Sequence, residues 1–216
     1  MTELEFKSLA AEGYNRIPLI AEAFADLETP LTLYLKLAQT QNLGKNTFLL
    51  ESVVGGERFG RYSFIGLPAN TLLRSYGKRT EVVRNGEVVE TANENPLDFI
   101  GKYMQRFRAP EANGLPRFLG GLVGCFGYDT VRYVETRLTR TQRPDEIGAP
   151  DIHLLLSEEL AVVDNLSGKL TLVVFAEPGY PGAYQKARAR LKELLAQLRQ
   201  PAQLVGVLVG ADGLAV

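Results

Sequence analysis

Apolar residues recur along the chain in two rhythms. Between Pro30 and Gln39, Leu31, Leu33, Tyr34, Leu35 and Leu37 follow a Thr-Pro start, an N-cap with proline in the first turn, and predict a short helix. Pro96 opens a second helical stretch in which Leu97, Phe99, Ile100, Tyr103, Met104 and Phe107, spaced by threes and fours, share one face. The polar segment Tyr184 to Arg199 carries Leu191, Leu194, Leu195 and Leu198 in the same register and predicts a third helix.

Elsewhere the runs are shorter and richer in β-branched and aromatic residues. Phe48-Leu49-Leu50-Glu51-Ser52-Val53-Val54 is too short for a helix and is closed by Gly55-Gly56, which predicts a buried strand ending in a loop. Arg61 to Gly66, Thr71 to Tyr76, Thr80 to Arg84 and Glu87 to Glu90 follow as an antiparallel meander. Its hairpin at Asn85-Gly86 suits a type I′ turn, which needs positive φ at both central residues. Phe118 to Tyr128 is a Gly-rich apolar segment. Ile152 to Val163 and Lys169 to Phe175 are two apolar runs joined at Asn165-Leu166-Ser167-Gly168, a second hairpin. The fold class expected is α+β, a mostly antiparallel sheet with flanking helices, and no period of 20 to 50 residues points to a solenoid. Residues 1–200 read as the domain and 201–216 as an uncertain tail. The apolar stretch Gln203 to Val216 is either a final buried strand pair or a truncation scar or out-of-frame tail.

Composition narrows the function classes. A chain of 216 residues, 45% hydrophobic and 23% charged, has the make-up of a folded protein, as one large domain or two small ones. Its formal charge of −1 gives no global field toward nucleic acid or an anionic membrane, and neither partner is expected. Cys125 is the single cysteine and no long uncharged apolar run interrupts the chain, so the cytoplasm is the expected compartment. With one histidine, His153, any Cys-His metal site or Ser-His-Asp machine would have to use it, which removes most common hydrolases.

Few residues suggest chemistry directly. Gly120-Gly121-Leu122-Val123-Gly124-Cys125-Phe126-Gly127 has neither phosphate-loop spacing nor a following lysine, and its glycines are expected to let a buried strand approach its neighbour closely. His153, between Ile152 and Leu154, is expected in the core or at a sheet edge. Cys125, with no adjacent cation or helix start, is expected to be a buried inert thiol. Glu158-Glu159 and the Arg143, Asp145, Glu146 group read as solvated turns or strand edges, and no catalytic or metal-ligating set emerges. One segment differs: Glu51 and Ser52, then Glu57-Arg58-Phe59-Gly60-Arg61-Tyr62-Ser63-Phe64-Ile65-Gly66. It could seat a zwitterion, with Glu51 for an ammonium, Arg58 or Arg61 for a carboxylate, and apolar walls for a side chain. The plainer alternative is that Glu51 and an arginine form a structural ion pair and the aromatics are core.

The same residues resemble the N-terminal region of anthranilate synthase component I, among the chorismate-utilising enzymes. Gly13-Tyr14-Asn15-Arg16-Ile17-Pro18, Thr29-Pro30, and Gly120-Gly121 through Gly127-Tyr128-Asp129 with Arg132-Tyr133 fall in that family's order, and the resemblance runs from about Phe6 to Leu198. It implies a lyase that converts chorismate and ammonia to anthranilate and pyruvate in tryptophan biosynthesis, with Mg²⁺ and a glutamine amidotransferase subunit. It also implies half of a layered αββα sandwich. The family's chorismate and Mg²⁺ residues lie in a larger C-terminal portion, so no catalytic or metal-binding residue is carried over and this chain alone is expected to lack the active site. What is carried over is the feedback site for L-tryptophan, at Ser52, Glu51 and Arg61, with Pro30 supporting its wall. The missing C-terminal domain would cover apolar surface that is otherwise open to self-association. The alternatives are the equivalent portion of aminodeoxychorismate synthase component I, or a stand-alone amino-acid-binding or amidotransferase-binding module.

Overall fold

The hydroxyl of Thr2 accepts from the Glu5 amide while the Glu5 carboxylate accepts from Thr2 N at 2.6 Å, a capping box that starts α1 (Glu3–Ala11). The computed structural model describes residues 1–38, 45–51, 60–111, 114, 116–135, 137–138 and 147–202. The remaining elements are β1 (Ile17–Phe24), α2 (Pro30–Leu37), β2 (Phe48–Leu50), β3 (Tyr62–Gly66), β4 (Thr71–Tyr76), β5 (Arg79–Arg84), β6 (Glu87–Asn93), α3 (Pro96–Met104), β7 (Gly121–Phe126), a 3-10 turn (Tyr128–Tyr133), β8 (Ile152–Ser157), β9 (Glu159–Asp164), β10 (Lys169–Ala176) and α4 (Ala183–Leu198). The expected α+β class holds: two five-stranded antiparallel sheets, ordered β1-β10-β9-β3-β2 and β6-β5-β4-β8-β7, are flanked by helices.

The three expected helices form, each for the predicted reason. Thr29 caps α2 ahead of Pro30, and Asn95 caps α3 ahead of Pro96, its Oδ1 accepting from Leu97 N at 3.0 Å. α4 buries Tyr184, Ala187, Leu191 and Leu194, a three-four-three stripe. Together α1, α2 and α4 cover one face of the first sheet, over Ile65, Ala161, Leu170 and Leu172, while α3 covers one face of the second through Phe99 and Tyr103 on Leu73, Val82, Ile152 and Leu154. The Asn85-Gly86 turn has φ of 53° and 88°, as a type I′ hairpin requires.

Three expectations change, the first being the meander: Arg61 to Gly66 is not part of it, because β3 pairs with β2 and β9 in the first sheet while β4, β5 and β6 stay in the second. The run Ile152 to Val163 is two strands in different sheets, broken at Glu158, so β8 leaves one sheet and β9 enters the other. β3 hands over to β4 beside that crossing, where Leu67 N donates to Glu159 O at 3.1 Å. Both sheets therefore meet at one corner. β2 is a sheet edge with β3 as its strand partner, and Leu50 is 49% exposed rather than buried, because only one side of the strand is covered. Val53 and Val54, like Gln203 to Val216, lie outside the described residues.

Candidate functional site

The segment singled out for a zwitterion forms the β2–β3 hairpin. Leu50 stands opposite Phe64, so Glu51 leaves the end of β2 as Arg61 enters β3. Alternation of side chains across a strand gives the hairpin two different faces. Leu49 and Ile65 join the helix-covered core. On the opposite face Phe48, Tyr62 and Phe64 form an aromatic wall, with Tyr62 and Phe64 centroids 6.3 Å apart and Phe118 edge-on to Phe64 at 5.5 Å. Glu51, the residue after β2, is exposed, and Leu50 is half-exposed. Ser52 and Arg58 lie outside the described residues. Tyr34 on the Pro30 helix shares a 2.8 Å hydrogen bond with Thr47 next to β2, which ties that helix to the strand.

Arg61 is held from the far end of the chain. Its Nε lies 3.2 and 3.3 Å from the two carboxylate oxygens of Asp164, and its Nη2 donates to Oδ2 at 2.8 Å. The guanidinium also stacks over Tyr62 at 5.0 Å. Hydrogen bonding from Arg61 carries the Asp164 pKa down to about 2, and the same bond raises that of Arg61. Asn165 completes the clamp: its amide nitrogen donates to Gly60 O and to the buried Ser63 Oγ, each at 3.1 Å, and its backbone N–H to Arg61 O at 2.7 Å. Sequence reasoning saw Asn165 as a turn residue and passed over Asp164. The two partners stand 103 positions apart in sequence, and no local pattern announces the pairing.

A second polar cluster sits at the corner between the sheets. Arg16 bonds Glu158 at 3.0 Å and Glu177 at 2.9 Å and lies over the Phe107 ring at 4.8 Å. Glu159 bonds Arg190 Nε at 2.9 and 3.1 Å. This corrects the expectation of a solvated acidic pair: each glutamate is engaged by an arginine from another element, and burial pushes the Glu159 pKa up. A cavity of about 170 Å³ opens beside Arg16, Phe107, Gly121 and Phe175. The cavity of about 500 Å³ between the N-terminus, β1 and α4 is lined by neither Glu51 nor Arg61.

His153 sits on β8 opposite Arg74 and Cys125, and burial, assisted by Arg74, lowers its pKa. Cys125 is exposed, not buried, because β7 is the last strand of its sheet. The close approach expected of the glycine segment is real at Gly124, where a Cβ would lie 2.0 Å from His153 O. Among the described residues no three His, Cys, Asp or Glu side chains stand together as a metal requires. No helix among them is long and apolar enough to cross a membrane.

No family model matches the chain. Among curated relatives, anthranilate synthase component 1 of Neisseria meningitidis serogroup B is 55% identical over 203 residues, 93% of this chain and 40% of the relative. The Pseudomonas aeruginosa protein of the same name is 50% identical over 202 residues, again 93% and 40%. This chain matches the N-terminal portion of anthranilate synthase component I. It spans about 40% of the length of these anthranilate synthase relatives. The crystal structure of anthranilate synthase component I from Streptococcus pneumoniae shares the fold, with a TM-score of 0.51 at 23% identity over 83% of this chain and 37% of that one.

Proposed function

We propose that this chain is the tryptophan-sensing, subunit-interacting portion of anthranilate synthase component I, the lyase that makes anthranilate and pyruvate from chorismate with ammonia or glutamine. The observation that carries the reading is that exposed Glu51, just past β2, and Arg61, clamped by Asp164 and stacked over Tyr62 just before β3, come to the same end of the β2–β3 pair. Glu51 offers a carboxylate to the effector's ammonium, Arg61 a guanidinium to its carboxylate, and the aromatic wall a surface for an indole. Ser52 belongs to the same stretch of sequence. The clamped arginine also fits the plainer structural alternative, except that its ion pair is with Asp164 and not with Glu51.

The chorismate chemistry, its Mg²⁺ and the docking of a glutamine amidotransferase subunit belong to this proposal as properties of the whole enzyme, with no step assigned to a residue here. Tryptophan bridging this portion and the catalytic portion would hold one relative arrangement of the two and draw population from the catalytic one, an effect limited by its differential affinity for the two states.

The chain contains no tryptophan, so the fluorescence of L-tryptophan reports binding against a tyrosine-only background. Titration is expected to show saturable binding that Ser52→Phe abolishes; equal binding by the variant would remove Ser52 from the site. Incubation with chorismate, Mg²⁺ and ammonium is expected to give no anthranilate fluorescence, and turnover above background would refute the assignment of catalysis to residues outside this chain.

A further inference from the structure

We propose that the turn joining β9 to β10 is the positioning element of the effector site, with Asp164 orienting Arg61 for the ligand carboxylate and Asn165 fixing the backbone on both sides of it. The inference rests on the reading of the β2–β3 end as a tryptophan site and adds residues that reading does not contain. Asp164 is itself anchored: its Oδ1 accepts from Leu166 N at 3.1 Å, and its carbonyl accepts from Gly168 N at 2.9 Å to close the turn. From this anchored carboxylate, bonds run to Nε and Nη2 of Arg61 and occupy one edge of the guanidinium. The Tyr62 ring lies under its plane. Among the described residues no hydrogen bond leaves Nη1.

An arginine free in solvent gives up rotamer freedom when it meets an anion, and one already held in plane and edge gives up less. Asp164 also offsets the charge of Arg61, so its contribution to ligand binding is geometric and not attractive. Asn165 acts on the same residue through the main chain, since Gly60 O, Arg61 O and Ser63 Oγ bracket the point where the chain enters β3. Neither Asp164 nor Asn165 needs to touch the ligand.

The test titrates the chain and its variants with L-tryptophan and with tryptamine, which keeps the indole and ammonium but lacks the carboxylate. Asp164→Asn and Arg61→Met are each expected to weaken tryptophan about ten- to a hundredfold, as for a lost charged hydrogen bond, and to leave tryptamine unchanged. The double variant is expected to bind no more weakly than Arg61→Met alone, because both changes remove one interaction. Arg61→Lys, which keeps the charge and loses the fork, is expected to lose as much as Arg61→Met. Full tryptophan affinity in Arg61→Lys, or equal losses for both ligands in Asp164→Asn, would overturn the positioning role while leaving the effector site standing. If the unaltered chain binds neither ligand, the effector reading fails and this inference falls with it.

Discussion

Replacing Arg190 with methionine isolates the energetics of the corner between the sheets. Arg190 on α4 reaches Glu159 at the start of β9, and the two side chains are only 18% and 27% exposed. Burial pushes the Glu159 carboxyl up, and the Arg190 charge and hydrogen bonds oppose that rise. Methionine keeps most of the volume and strands the carboxylate. Breaking a buried pair costs about 3–5 kcal/mol, and the residual exposure here selects the lower end, about 3 kcal/mol at neutral pH. The second contact of Arg190, to exposed Glu193 at 3.2 Å, adds a few tenths of a kcal/mol as an i,i+3 pair.

Urea unfolding followed by far-UV circular dichroism reads the change. With a denaturant slope of about 2 kcal/mol per molar, the midpoint is expected to fall by about 1.5 M. Arg190→Met with Glu159→Gln is expected to recover most of the loss, since no charge is then buried alone. The pH dependence has a definite sign: a glutamate whose folded pKa lies above its ordinary value of 4.5 binds its proton more tightly when folded, so its stabilising contribution is present at low pH and lost as pH rises through the folded pKa. The deficit of the single variant should therefore shrink as the pH is lowered from neutral toward 5. A loss under about 0.5 kcal/mol at neutral pH, or a double variant less stable than the single, would refute the reasoning.

Three further outcomes follow from the geometry. Gly124→Ala would set a Cβ 2.0 Å from His153 O and 2.9 Å from Leu154 Cα, backbone that cannot swing aside, and should cost about 2–3 kcal/mol with faster amide exchange along β7; Gly101→Ala on α3, where nothing lies within 4 Å, should instead gain about 1 kcal/mol from helix propensity. Asp164, held down to about 2, contributes stability that is present above the unfolded value of 3.8 and lost as pH falls through about 2. Because Arg61 is solvent-exposed, that contribution is under about 1 kcal/mol, and Asp164→Asn should flatten the urea midpoint between pH 4 and 2 by that amount.

Period and punctuation carried most of the fold. The two capped helices α2 and α3 and both hairpins have local causes, in Thr29-Pro30, Asn95-Pro96, Asn85-Gly86 and Gly168, and they formed where those residues stand. α1 and β1 lacked such clarity. α1 buries only Phe6, so its apolar rhythm is weak, although Thr2 and Glu5 already spelled its capping box. β1 contains Pro18, which argues against a central strand and is tolerated because β1 ends its sheet. The break at Glu158 was hidden for a different reason. Strands with apolar residues on both faces show no alternation, so a change of sheet in the middle of an apolar run leaves only the polar pair Glu158-Glu159 as its mark.

The candidate site divides along the same line. Its side-chain types were legible because an acid, a hydroxyl, arginines and aromatics crowd one short segment, and the register of β2 on β3 brings Glu51 and Arg61 to the same end of the hairpin. What a sequence window cannot contain is the state of Arg61. Before folding it is a mobile cation equally available to any carboxylate, and after folding one edge of it belongs to Asp164. That difference arises because β3 pairs with β9, setting Tyr62 against Asp164, and the pairing is chosen by the burial of Ile65, Ala161 and Val163 beneath α2 and α4, not by any charge. The core therefore decides which edge of Arg61 Asp164 holds, through packing several residues away from it.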